Sequence, residues 1–211
     1  MDVSRQSDAP EETKRGPRAR TRRLMLETAS RLMQAGSTPS VSEAAEAAGV
    51  SRATAYRYFP SQAALVQAVV DVGLGPILDW RSDSADATAR VDDLIATSLP
   101  RIEAYEATFK AALKLSLEQW AKRQAGTLGE EPQFARGHRV DLLKSALDPL
   151  RDKLPPEKFD RLAQALSLIF GVEVLIVLKD IWGLGSEDTM EVARWAASAL
   201  VTAGMDESLH M

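Results

Sequence analysis

Between Ser40 and Pro60, four residues decide where helices can start and stop, and they leave room for only two short ones. Ser40, with Glu43 three residues on, has capping-box spacing: the Ser side chain accepts a free backbone N–H and the Glu reaches back. Gly49 can adopt the left-handed conformation that ends a helix. Ser51 suits the N-cap of the next helix, and Pro60 stops it. Val41, Ala44, Ala45 and Ala48 share one face of the first helix and are small enough for close approach. Val50 turns back to the core, and Ala55 and Phe59, four apart, form the core side of the second helix.

Arg52, Ala53, Thr54 and Arg57 then point away from the core, with Tyr56 at the flank. A short helix exposed along one side can enter a major groove with its first residues at the base edges. Arg52 and Arg57 suit guanine edges or phosphates. The hydroxyls of Thr54, Tyr56 and Tyr58 suit phosphate oxygens, which set register rather than sequence. Two short helices read equally well as a plain hairpin with a solvated Arg/Tyr face, because the geometry alone is not specific.

The upstream sequence adds weight to the first reading. Lys14, Arg15, Arg18, Arg20, Arg22 and Arg23 form a basic run without an acidic residue, which is either a solvated tail or a phosphate-following arm. Met25, Thr28, Ala29 and Leu32 line one face of a helix predicted from about Pro17 to Ala35 and ended by Gly36. Residues 1–60 hold ten Lys and Arg against seven Asp and Glu, whereas 61–211 hold sixteen against twenty-three. The basic character is local, so an acidic chain overall does not argue against nucleic acid.

The stretch VSEAAEAAGVSRATAYRYFPSQAAL, following a helix that ends in Gly36, resembles the TetR family of bacterial transcriptional regulators from about Arg20 to Val70. The resemblance implies an all-helical homodimer whose C-terminal domain binds a ligand and thereby releases DNA. It places Arg52, Ala53, Thr54 and Arg57 at the bases, Tyr56 and Tyr58 in phosphate contact and packing, and Ser42 at the DNA backbone. Two positions depart from the pattern. Ala55 stands where Leu is usual, which predicts closer helix packing, and Gln62 stands where Lys commonly grips a phosphate.

The remaining sequence reads as almost wholly helical, since strand-like alternation is absent. The expected fold is all-α: a polar, disordered tail over 1–16, a helix-turn-helix domain over 17–62, a linker helix over about 61–80, and a helical ligand-binding and dimerisation domain over 81–211. Leu65, Ala68, Val69 and Val72 mark one face of the linker helix, and Gly73, Gly75 and Pro76 interrupt it. Further helices are predicted over about 89–99, 101–125, 133–153, 156–182 and 187–203, with Pro100, Gly126–Pro132, Pro155–Pro156 and Gly183–Gly185 between them. No cysteine is present, no signal peptide is read, and no apolar run reaches the roughly 20 residues of a membrane span. The expected location is the cytoplasm.

Ile102, Tyr105, Phe109, Leu113, Ser116 and Trp120 fall on one stripe of the 101–125 pattern. Such a stripe is core packing or the wall of an effector pocket, with Phe134 and His138 facing the same space. Two histidines and no cysteine make a metal site improbable, and no cofactor is expected. Leu166 to Leu178 is apolar nearly all round, which suggests burial against a second subunit. Met190, Ala193, Ala197, Leu200 and Val201 give the last helix a face of mainly small side chains, so a homodimer through helices 156–182 and 187–203 is expected. Glu173, inside the apolar run, needs a basic partner or serves as a ligand anchor.

The sequence therefore predicts a ligand-responsive regulator, a repressor on a palindromic double-stranded operator, released by a small-molecule effector. The alternative is a DNA-binding dimer that acts without a ligand. No nucleophile–base set, P-loop or dinucleotide fingerprint points to an enzyme.

Overall fold

The computed structural model describes residues 16–130, 132–134 and 137–206. Of the expected tail only Gly16 is among them, and Lys14, Arg15 and His210 lie outside. Among the described residues there is no strand. Ten α-helices run α1 (Pro17–Gln34), α2 (Val41–Ala47), α3 (Arg52–Tyr58), α4 (Gln62–Leu74), α5 (Ala87–Ala104), α6 (Glu106–Gln124), α7 (His138–Ala146), α8 (Pro156–Ser167), α9 (Val172–Leu175) and α10 (Ser186–Asp206).

The punctuation near the N-terminus is local chemistry. Pro17 opens α1, where its missing N–H costs nothing. Gly36, at φ 84°, turns the chain out of it. Ser40 N donates to Glu43 Oε2 at 2.7 Å and Glu43 N donates to Ser40 Oγ at 3.2 Å, a complete capping box. These hydrogen bonds hold the Glu43 carboxyl below its ordinary value, the Ser40 backbone N–H contributing most. Gly49 sits at φ 65°, and Val50 N then bonds Ala45 O at 2.9 Å, closing α2. Ser51 Oγ accepts from Thr54 N to start α3, and Ser61 Oγ accepts from Ala64 N to start α4. Met25, Ala29, Ala44, Ala45, Ala55 and Phe59 are all buried, so the three helices share one small core.

α4 connects this unit to the rest of the molecule, packing against α1, α5 and α6. Its buried surface is wider than the sequence suggested. Ala63, Leu65, Val66, Val69, Val70 and Gly73 are all enclosed, while Val72 is 51% exposed. Three neighbouring helices explain the width. The window Gln62–Asp79 has the length and hydropathy of a short membrane span. Its apolar side chains Leu65, Val66, Val69 and Ile77 are nonetheless buried in the protein core. The carbonyls at the C-terminus of α4 are taken by Arg101, which donates to Gly73 O at 2.7 Å, Leu74 O at 2.8 Å and Val72 O at 3.1 Å. A cation there is favoured by the helix dipole.

Three predicted boundaries move. Pro100 does not end a helix: α5 runs through it to Ala104. The hydrogen bond that proline forfeits lies on the solvent side, where Ala96 and Pro100 are exposed, while Leu99 and Ile102 anchor the inner face. The segment predicted to be helical from 133 is not helical at 132–134, where Gln119 Nε2 donates to Pro132 O and Gln119 Oε1 accepts from Phe134 N. α7 begins only at His138 and ends at Ala146, followed by a single 3-10 turn at Asp148–Leu150. The predicted 156–182 helix is broken at Gly171, φ 118°, and continues as α9 and a π-helical stretch, Ile176–Ile181.

Gly171 is where glycine is required. A Cβ there would lie 2.7 Å from Arg139 Nη2, in a backbone conformation that side chains disfavour. Gly171→Ala is expected to cost about 1–3 kcal/mol. The check is a fall of several degrees in the circular-dichroism melt.

The π-helical stretch is tied down by charge. Lys179 Nζ lies 2.6 Å from Glu103 Oε1 and 3.3 Å from Glu106 Oε2, and Lys110 Nζ lies 2.6 Å from Asp180 Oδ2. The Lys179 hydrogen bond, and then that from Ser186, hold the Glu103 carboxyl below its ordinary value. A lowered carboxyl pKa contributes stability above the unfolded-state value and loses it as pH falls through the folded-state value. The melting-temperature advantage of the wild type over Glu103→Gln should therefore be full at neutral pH. It should shrink on acidification through and below the ordinary glutamate range.

Candidate functional site

The outer face of α3 is built on two buried anchors. Ala55 and Phe59 hold the helix to α1 and α2, and Arg22 lies over the Phe59 ring at 5.5 Å from its centroid. Arg52, Ala53 and Arg57 are exposed, Thr54 is half-buried and Tyr56 is exposed at the flank. Neither Arg52 nor Arg57 has a carboxylate partner among the described residues, so both present their charge to solvent. Ser42 Oγ on α2 lies 3.4 Å from Tyr56 OH, bringing those hydroxyls together. Thr54 Oγ1 accepts from Ser51 Oγ at 2.9 Å. Tyr58 is half-buried and packs against the core. Gln62 Nε2 donates to Thr38 O at 2.8 Å, so this side chain braces the loop before α2 instead of reaching outward. Arg18, Arg20, Arg22 and Arg23 are exposed along the first turns of α1.

A second site lies in the helical body. A cavity of about 80 Å³ is walled by Gln67, Val70 and Leu74 of α4, Ile102 of α5, Phe109 and Ala112 of α6, and Phe134 before α7. His138, Arg139 and Leu142 of α7 and Phe170–Val172 close it. Of the pocket residues read from sequence, it gathers Phe109, Phe134 and His138. The predicted stripe reaches the wall only in part, because it crosses two helices: Ile102 lines the cavity from α5 and Phe109 from α6, while Tyr105 stands at the break between them with Arg101 stacked on its ring at 5.1 Å. Leu113 and Ser116 are half-buried outside the wall, and Trp120 is 56% exposed. Periodicity missed Gln67, Arg139 and Phe170, which reach the cavity from three separate elements.

Glu173 has its basic partner within the protomer: Arg139 Nη2 lies 2.6 Å from Glu173 Oε2, and Arg139 Nη1 donates to Ser167 O at 3.2 Å. Opposite, Asp71 Oδ1 receives Gln67 Nε2 at 2.8 Å and lies 2.9 Å from His138 Nε2. Among the described residues no His, Cys, Asp and Glu group suited to a metal ion is present.

Four large apolar side chains stand exposed outside both sites. Leu168 after α8, Ile181 and Trp182 at the end of the π-helical stretch, and Trp195 on α10 are each more than 70% accessible. The face of α10 expected to meet a partner does not lie here. Ala193, Ala197 and Val201 are buried within the protomer, where α10 packs on α5 and α8, and Met190 and Leu200 are half-buried. Small side chains permitted close approach, but the helix inside the same chain used it.

Residues 25–69 match the family model described as "Bacterial regulatory proteins, tetR family". The fold is similar to the crystal structure of a TetR transcriptional regulator from Rhodococcus sp. RHA1, at TM-score 0.57 and 19% identity, over 88% of this chain and 97% of that one. No curated protein matches the chain in sequence. The capped helix pair with its arginine-bearing outer face is a helix-turn-helix carried on an all-helical body, and the match over residues 25–69 puts that module in the class of DNA-binding transcriptional regulators. Over residues 25–69 its N-terminal module is similar to that of the TetR family.

Proposed function

We propose that the protein is a ligand-responsive repressor that binds a two-fold-related DNA site as a homodimer. The observation that carries the DNA reading is α3 itself: Arg52 and Arg57 are exposed and lack carboxylate partners, on a helix whose inner side is fixed by Ala55 and Phe59. In this reading Arg52, Ala53, Thr54 and Arg57 face the bases. Tyr56, Tyr58 and Ser42 follow the phosphates, and Arg18 and Arg22 add charge beside them. The reading head spans 17–62, and the helical body from 81 onward binds the effector and the second subunit. The exposed apolar surface of Leu168, Ile181, Trp182 and Trp195 supports a dimer through the segments 156–182 and 187–203. Two half-sites would then lie about 34 Å apart or a multiple of it.

Repression and release follow as a population shift. Operator DNA selects the dimer whose two α3 helices are correctly spaced, and the effector selects another. α4 is the element in position to couple them, since it both packs on α1 and walls the cavity with Gln67, Val70 and Leu74. Coupling is reciprocal, so operator DNA must weaken effector binding by the same factor. The location implied is the cytoplasm, where the DNA is.

The test is selection of bound genomic fragments with the purified protein, followed by a salt series. Binding should concentrate on a two-fold-related sequence and fall steeply with salt. Salt-independent binding, or retention of no fragment, would refute the reading. A second reading, a DNA-binding dimer without an effector, draws support from the cavity volume. About 80 Å³ is below the roughly 300–1,000 Å³ of pockets for drug-sized ligands.

A further inference from the structure

Resting on the effector reading above, we infer that the cavity takes a small, uncharged, single-ring molecule bearing a hydroxyl group, a phenol in chemical class, whose hydroxyl donates to Gln67 Oε1. Three observations point there. The first is the wall: Val70, Ile102, Phe109, Phe134, Leu142 and Phe170 enclose an apolar space with three aromatic rings. The second is its volume, about 80 Å³. An apolar cavity of about 150 Å³ holds benzene, so modest side-chain movement admits one ring.

The third is an orphaned acceptor. Gln67 belongs to the wall, and its Oε1 is buried without a hydrogen-bond partner. Gln67 Nε2 lies 2.8 Å from Asp71 Oδ1 and 3.1 Å from His138 Nε2, and the carboxylate sets the amide's orientation, since a flip would place two acceptor oxygens face to face at Asp71. Of the polar side chains on the wall, Gln67, His138 and Arg139, the one with an unsatisfied atom offers an acceptor, reached on the side-chain movement that admits the ring, so the ligand must bring the donor. Leaving such a group unsatisfied is costly, and a donor that reaches it recovers that cost. A carboxylate ligand is disfavoured. Asp71 is beside the acceptor, and the Arg139 guanidinium is already engaged by Glu173 and the Ser167 carbonyl. An ion would also have to shed its hydration to enter.

The experiment is calorimetric titration of the full chain with phenol, toluene and benzoate. Phenol should bind about tenfold more tightly than toluene, and benzoate should be weakest. In Gln67→Met, phenol should fall to the level of toluene while toluene binding is kept, with the circular-dichroism melt reporting that the variant is folded. Should that variant not fold, nuclear Overhauser contacts between bound phenol and the Gln67 side chain in the wild type carry the same information. Parity of phenol and toluene, preference for benzoate, or no binding of phenol would overturn the inference. Release of operator DNA by phenol is a separate measurement. Phenol bound with the stated preference but without release would refute the effector reading and leave the cavity chemistry standing.

Discussion

Arg57→Ala is expected to weaken operator binding by about 30-fold or more while the protomer fold and the dimer persist. Arg57 is exposed on the last turn of α3, has no carboxylate partner among the described residues, and contributes nothing to the buried core. Its removal therefore costs the protein no internal contact. In the proposed complex it pairs with a guanine edge or a phosphate. A good bidentate base contact is worth about 1–3 kcal/mol, and a two-fold dimer carries the change twice. Gel-shift titrations at fixed salt measure the loss, and a salt series identifies its source. A phosphate contact lowers the salt slope and weakens all sequences alike, whereas a base contact relaxes preference at one position of each half-site. Unchanged binding by Arg57→Ala would mean that α3 is not the reading helix.

The second large effect is expected at the apolar surface. Ile181→Asp should shift the protein from dimer to monomer and abolish high-affinity operator binding, with the helical content unchanged. Ile181 is 72% exposed in the protomer, beside Trp182 at 73%, so a carboxylate there is solvated and harmless in a single chain. In a two-fold interface it would be buried opposite apolar partners, and it would occur twice. An unpaired charge in such a place costs several kcal/mol, so the dimer dissociation constant should rise about 100-fold or more. Sedimentation equilibrium measures this directly. An Ile181→Asp protein that is still dimeric at low micromolar concentration would remove this surface from the interface. The substitution also separates dimerisation from DNA contact, because Arg57→Ala should leave sedimentation unchanged.

These two sites were not equally legible in the amino-acid order. The reading head was, because its boundaries are written in contacts three to five residues apart. Ser40 with Glu43, Gly49, Ser51 and Pro60 act on the backbone within a few residues of themselves and need no distant partner. Ala55 and Phe59 followed from a four-residue repeat. Gln62 stood out only as a departure from the pattern, and its partner, the Thr38 carbonyl, comes from the structure.

The helical body was legible only in outline. Periodicity on 101–125 assumed one continuous helix, yet the chain passes through Pro100 and breaks at Tyr105, so the projected stripe mixed two helices; farther along α6, Trp120 lies at the surface although it shares the stripe with buried Phe109. Apolar small residues on α10 were read as a subunit face, yet α5 and α8 cover Ala193, Ala197 and Val201. A hydrophobic face says that something must cover it. It does not say whether the cover comes from the same chain.

What the sequence determined by itself was the class of secondary structure, the capped helix pair and the arginines on its outer side, since caps, turn glycines and short repeats are local physics. The tertiary structure decided which apolar faces meet inside the protomer. It also placed Arg139 against Glu173 across Gly171, and gathered Gln67, Phe109, His138 and Phe170 around one cavity. Those residues lie up to about a hundred positions apart, and no local rule joins them. Their proximity comes from the packing of α4 through α9, a global minimum of buried apolar area that only the folded chain expresses.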